Sequence, residues 1–98
     1  MKIIFSETFK KDLLEIEAYS VKFYGSLLTI KLFNYIEDPL SEVEQLPEAF
    51  LLVQGYTQVR RKFLKKQNMS ILYKFDKTKS QINFIRIFHN KRDVKQIV

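Results

Sequence analysis

TQVRRKFLKKQNMSILYKFDKTKSQINFIRIF, residues 57–88, is where the chain changes its period. Three runs, TQVRRKFLKK (57–66), SILYKFD (70–76) and QINFIRIF (81–88), alternate apolar with polar residues or run apolar throughout. Only the short links QNM and KTKS separate them, which predicts hairpins and therefore an antiparallel meander of three strands. In the middle run Ile71, Tyr73 and Phe75 face one way, Leu72 and Lys74 the other. In the last run Ile82, Phe84 and Phe88 share one face, Ile85 and Ile87 the other. A strand apolar on both faces is central or covered on both sides.

Upstream of residue 57 the spacing is helical. KIIF (2–5) is a short strand-like run stopped by Ser6, whose hydroxyl suits the N-cap of a helix. Phe9, Leu13, Ile16, Ser20 and Phe23 then recur at four, three, four and three, one face of an amphipathic helix ended by Gly25. A second helix starts near Ser26 with Leu28, Leu32 and Ile36 as its stripe. Pro39 either kinks it or restarts it, and Leu40, Val43 and Leu46 continue the spacing up to Pro47. Two helices joined by so short a turn form an antiparallel hairpin. Residues 50–56 read as a loop. The expected architecture is α+β: βααβββ, a helical hairpin packed on one face of a twisted antiparallel sheet.

The 98 residues form one domain, 1–98, with 46% apolar and 14% aromatic residues, enough for a single core. No cysteine is present, which excludes disulfides, thiolate zinc and a cysteine nucleophile and fits a reducing cytoplasm. One histidine and no cysteine leave no metal site to expect, and no cofactor. The opening apolar run is too short for a signal-peptide core, and nothing approaches the roughly 18 apolar residues of a membrane helix. A soluble cytoplasmic protein without membrane contact is the expectation.

Charge is segregated along the chain. Residues 1–50 carry 5 lysines against 9 acids, −4; residues 51–98 carry 12 lysines and arginines against 2 acids, +10, which together give the net +6. So lopsided a chain suggests a basic surface for a polyanion or an acidic protein, carried by the C-terminal half.

Taken in order, these elements resemble the RelE/ParE superfamily of toxins from bacterial type II toxin–antitoxin modules, and its ParE-like branch more than its RelE-like one. The short opening strand and helical hairpin ending at LP in EQLPEAF (44–50) carry part of the resemblance. A basic strand leading into ILYKF (71–75) is similar to the family's iLY/iiY pattern. The closing INFIRIFHNKRD (82–93) is similar to the ParE-like signature i.I.rv.H..RD. The resemblance spans nearly the whole chain. It implies a small basic toxin that arrests growth and is neutralised by a cognate antitoxin, whose C-terminal segment covers the basic surface. ParE-like members act on DNA gyrase with no known need for a catalytic constellation. RelE-like members cleave mRNA in the ribosomal A site.

For the RelE-like route the resemblance implies basic residues on one strand, an Arg before the ILY strand, a late cation and a C-terminal Tyr or His. Here Arg60, Arg61 and Lys62 fill the basic strand, the expected Arg is Ser70, and Lys91 or Arg92 supplies the late cation. No Tyr or His follows in VKQIV (94–98). His89 is the remaining acid/base candidate because its ordinary pKa lies near neutrality. It is equally the closing residue of a strand, donating to a backbone carbonyl or to Asp93, which in turn could orient His89 or pair with Arg92. Arg86, on a mostly apolar strand, either reaches a functional groove or pairs with an acid of the helices, such as Glu15 or Glu17. An RNase would use Arg60, Arg61, Lys62, Arg86 and His89. A binding toxin would present Arg60, Arg61, Lys62, Lys65, Lys66, Lys74, Arg86, His89, Lys91 and Arg92 to its antitoxin or target.

Overall fold

The computed structural model describes residues 1–91. Its elements are β1 (Lys2–Phe5), α1 (Glu7–Gln45), β2 (Leu51–Leu52), β3 (Val59–Leu64), β4 (Met69–Asp76) and β5 (Gln81–His89). The sheet order is β1-β5-β4-β3-β2.

Ser6 caps α1 as its position suggests: its Oγ accepts from the amide of Phe9 at 3.1 Å. A straight helix of 39 residues would run about 58 Å at 1.5 Å per residue. The longest dimension of the molecule is 42 Å, so α1 must fold back on itself. It does so at Gly25, whose φ of 84° and ψ of 171° leave the helix and are open to glycine at little cost. The two arms, residues 7–24 and 26–45, are pinned beside the break. The Thr29 hydroxyl is hydrogen-bonded to the Ser20 hydroxyl at 2.7 Å and to the Gly25 carbonyl at 2.8 Å. Pro39 does not end the second arm, which continues to Gln45; its missing N–H removes only the bond to the Tyr35 carbonyl.

The expected meander is present as β3, β4 and β5, paired antiparallel. Two features correct the sequence reading. Residues 50–56, which read as a loop, contain β2, which pairs antiparallel with β3 (Leu51 opposite Arg61, Leu52 opposite Arg60). The sheet is also mixed, because β1 runs parallel to β5. Each tight connection reverses the chain. Between β1 and β5 the folded helix and the added strand β2 bring the reversals to an even number, which returns β5 to the direction of β1.

Phe9, Ile36 and Val43 of α1 pack on Ile71 and Tyr73 of β4 and on Ile82, Phe84 and Ile87 of β5, with the ends of β3 and β4 closing the core. The Tyr73 hydroxyl donates to the Pro47 carbonyl at 2.7 Å, tying the central strand to the end of the helix. Val59, Leu72 and Phe88 form a smaller cluster, with Val53, Tyr56 and Ile85 against it. Phe88 therefore does not share a face with Phe84, nor Ile87 with Ile85. A bulge opposite Leu72 and Tyr73 makes Ile85 the extra residue, since Leu72 pairs with Arg86 and Tyr73 with Phe84. One inserted residue exchanges the faces of everything after it. Among the described residues, no helix is long and apolar enough to cross a membrane.

Candidate functional site

β1 stops at Phe5, opposite Phe84, and leaves the rest of β5 as a bare edge. Bare edges carry unsatisfied N–H and C=O groups and invite pairing with other chains. Part of this edge is closed by the start of α1. The Ser6 hydroxyl donates to the Ile85 carbonyl at 2.9 Å, and Asp12 Oδ2 accepts from the Ile87 amide at 3.0 Å.

Asp12 also receives Arg86 in a two-pronged bond, Nε to Oδ2 at 2.7 Å and Nη2 to Oδ1 at 2.9 Å. The hydrogen bond to Asp12 raises the Arg86 pKa above its already high value, against the lowering effect of burial; Glu15 adds a favourable field. Of the two roles open to Arg86, pairing with an acid of the helices is present, and that acid is Asp12. Asp12 had a signal in the sequence. It stands three residues after Phe9 and four before Ile16, a carboxylate inside the apolar stripe, and a carboxylate is not buried without a cation or donors.

Beyond this lock the edge of β5 opens on a groove of about 710 Å³ between the helical arms and the end of the sheet. Ile16, Tyr19, Tyr24, Leu28 and Leu32 of α1 form one apolar wall; Met69, Ile87 and Phe88 form the other. Glu15 and Asp12 lie on its helix side, His89 and Lys91 at the β5 end, and Gln67 in the turn between β3 and β4. Lys65 and Lys66, which precede Gln67 in the chain, are exposed. Lys66 Nζ sits 5.6 Å from the ring centre of Tyr35 on the second arm.

The basic strand does not form one surface. Successive residues of β3 point to opposite faces. Arg60 turns toward the helix end, where Nη1 donates to the carbonyls of Glu48 and Phe50 at 3.0 and 2.8 Å. Lys62 is on the same side, 3.0 Å from the Glu42 carboxylate and over the Phe50 ring. Arg61 faces the other way. Its Nε donates to Ser70 Oγ at 2.9 Å and its guanidinium lies 4.3 Å from the centre of the Phe63 ring. Burial lowers the Arg61 pKa. Ser70, fully buried where the RNase pattern has an arginine, also bonds Asn90.

His89 is exposed, and its Nδ1 accepts from the Lys91 amide at 3.4 Å, a long contact. Lys74 is exposed on β4, opposite Val59 and Asn83 and four residues along the strand from Ser70. Arg92 and Asp93 lie outside the described residues, and with them the suggested His89–Asp93 and Arg92–Asp93 contacts. The structure thus gathers His89 and Lys91 at the groove, with Gln67, which follows Lys65 and Lys66 in the chain. It sets Arg61 on the opposite face and ties Arg60, Lys62 and Arg86 into the fold. Among the described residues, no group of three His, Cys, Asp or Glu side chains is placed to hold a metal ion.

No family model matches the sequence, and no curated protein does. Solved structures do. The chromosomal ParDE TA system from P. aeruginosa contains a chain that superposes with a TM-score of 0.78 at 18% identity, over 91% of this chain and 95% of that one. The chain has the RelE/ParE toxin fold. The isolated E. coli RelE toxin superposes at 0.62, with 21% identity over 99% of this chain and 98% of that one. The intact E. coli RelBE toxin–antitoxin complex gives 0.62 at 20% identity, over 93% and 98%. The expected fold is therefore matched by solved structures, and the chain superposes better on the ParDE chain, at 0.78, than on RelE, at 0.62.

Proposed function

We propose that this chain is the toxin of a type II toxin–antitoxin module and acts in the ParE manner, arresting growth by binding DNA gyrase rather than by cutting RNA. The observation that carries the reading is the superposition at 0.78 on the ParDE system, over nearly the full length of both chains. The groove supplies the other half of the module. Its apolar walls suit the apolar face of an amphipathic segment from a cognate antitoxin, and His89, Lys91, Lys65 and Lys66 suit acids on its flank.

The disposition of the RNase candidates supports binding over cleavage. General acid–base cleavage needs its cations and its proton-transfer group within hydrogen-bond reach of one phosphate. Arg60 and Lys62 lie on the helix side of β3, Arg61 lies on the other, Arg86 is held by Asp12, and His89 stands at the groove. The test is direct. Purified chain added to a gyrase supercoiling assay should inhibit it, and antitoxin added first should restore it. Unimpaired supercoiling, with ribosome-dependent cuts in mRNA, would transfer the chain to the RelE-like mechanism.

A further inference from the structure

The face of the sheet turned away from the helical hairpin carries one cation that is fixed in place without a counter-charge. Phe63 of β3, Ser70 of β4 and Phe88 of β5 stand in a row across it, each opposite the next. The Arg61 guanidinium lies over this row, 4.3 Å from the centre of the Phe63 ring and 5.4 Å from that of Phe88. The fully buried Ser70 hydroxyl accepts from Arg61 Nε, so its own proton goes to the Asn90 side-chain oxygen. The Asn90 amide donates in turn to Asn68 Oδ1 at 3.2 Å. Two rings and a chain of three hydrogen bonds therefore set where the guanidinium lies and which edge it presents.

Arg60 meets two carbonyls, Lys62 meets Glu42 and Arg86 meets Asp12. Arg61 forms no ion pair among the described residues, and its Nη groups have no protein acceptor there. Burial lowers its pKa with no carboxylate to offset the loss. With Nε taken, the Nη1–Nη2 edge is the one left open, and two parallel N–H donors match the two oxygens of a carboxylate. Its immediate neighbours carry no charge: Leu51 and Leu72 across the strands, Val59 and Phe63 along β3. A nucleic-acid backbone is gripped by successive cations and its bases by open aromatic faces. Here a single charge stands in an apolar frame and already lies over the Phe63 ring, the arrangement of an interface anchor that receives one acid. Arg61, Phe63 and Ser70 do not line the groove. We propose that Arg61 receives one aspartate or glutamate side chain of the protein this toxin inhibits, on a surface distinct from the antitoxin groove. The owner of that acid rests on the gyrase reading; the carboxylate site does not.

Acetate is the probe for the site. Titrated into the full isotope-labelled chain at constant ionic strength, it should shift the Arg61 side-chain Nε–H resonance, assigned by its absence from Arg61→Lys. The Arg60 and Arg86 resonances should stay in place. No selective shift overturns the inference, and so does a shift at least as large from dimethyl phosphate, which would give the site to a phosphodiester. An Arg61 resonance that moves in Asp93→Asn overturns it as well, because the chain's own acid would then hold the fork. In the supercoiling assay Arg61→Gln should raise the half-inhibitory concentration about thirtyfold or more, and Arg61→Lys nearly as far, since an ammonium keeps the charge and loses the fork. Circular dichroism and antitoxin affinity should not move. Variants that inhibit gyrase as the wild type does, or that lose antitoxin binding, overturn the inference and leave the gyrase reading standing. A wild-type chain that takes acetate at Arg61 but leaves supercoiling intact ends the gyrase reading and keeps the carboxylate site.

Discussion

Arg60 and Arg61 are adjacent in the chain and belong to different regions of the molecule. Arg60, with Lys62, faces the helix and is bound to backbone carbonyls and to Glu42; Arg61 faces away, stacked on Phe63. The same contrast separates other described cations of the C-terminal half. Lys62 and Arg86 are consumed in holding the helical hairpin to the sheet and Arg60 in holding the segment after it, whereas Lys91 stands exposed at the groove and Lys65 and Lys66 are exposed just before Gln67. Charge counted along a sequence therefore overstates the charge offered to a partner. The interior set should act on stability and the rim set on binding, and each experiment below can break that division.

The largest effect belongs to Asp12. Asp12→Ala would remove the two-pronged partner of the mostly buried Arg86 guanidinium and the acceptor of the Ile87 amide, and breaking one side of a buried pair costs about 3–5 kcal/mol. Urea unfolding should show that loss, and an Asp12→Ala/Arg86→Met double variant should recover part of it. A loss below about 1 kcal/mol would place the pair among the weak surface contacts and dissolve the contrast.

Reversing the rim comes next. Lys66→Glu/Lys91→Glu should weaken antitoxin binding by roughly tenfold and flatten its salt dependence, with unfolding free energy unchanged within about 0.5 kcal/mol. Calorimetric titration at two ionic strengths reads both quantities. A variant that binds normally but unfolds early would show that the rim is structural and the division false.

Tyr73 tests the interior by pH. Burial pushes its hydroxyl up to about 12, while the nearby Arg60 pulls the other way. The unfolded chain ionises this group near 10, so the stabilising contribution is complete below pH 10. As pH rises from 10 to 12, ionisation favours the unfolded state and the contribution is lost. Tyr73→Phe should therefore lie about 1 kcal/mol below wild type at pH 8, for the lost bond to Pro47, with the gap narrowing toward pH 12. A gap that widens with pH would contradict the buried, neutral assignment.

What the sequence disclosed follows the range over which each signal acts. β1, the Ser6 cap, the break at Gly25 and the three-stranded meander depend on neighbours a few residues away, and all are present. β2 has no periodicity of its own; two leucines become a strand because Arg60 and Arg61 lie opposite them. The bulge at Ile85 leaves no local mark, yet it reassigns Ile87 and Phe88 to faces that strict alternation denies them. Phe23 continued a helical stripe but is exposed, because the spacing says where a residue points and not how far the sheet extends beneath it. The cations of the site suffered the same loss. Their number was plain, but whether Lys62 meets Glu42 or a partner depends on an approach across the fold.

His89 provides the smallest effect and the clearest reading of mechanism. It is the chain's single imidazole, at the end of β5, exposed, with one long contact to the Lys91 amide. Its replacement by alanine removes no buried bond, so stability should move by less than about 0.5 kcal/mol. In a gyrase-binding toxin it contributes a part of the rim, and growth arrest on induction should persist. In an RNase it would be the proton-transfer group, whose loss costs about 10²–10⁴ in rate and would let induced cells grow. Growth curves of cells induced for wild type and His89→Ala, with equal toxin levels verified by blotting, separate the two. Persistent arrest leaves the cations inside the fold as scaffold and the groove as the working surface. Restored growth would make His89 catalytic, and Arg61, the one basic-strand cation facing away from the helix, would be the next residue to replace.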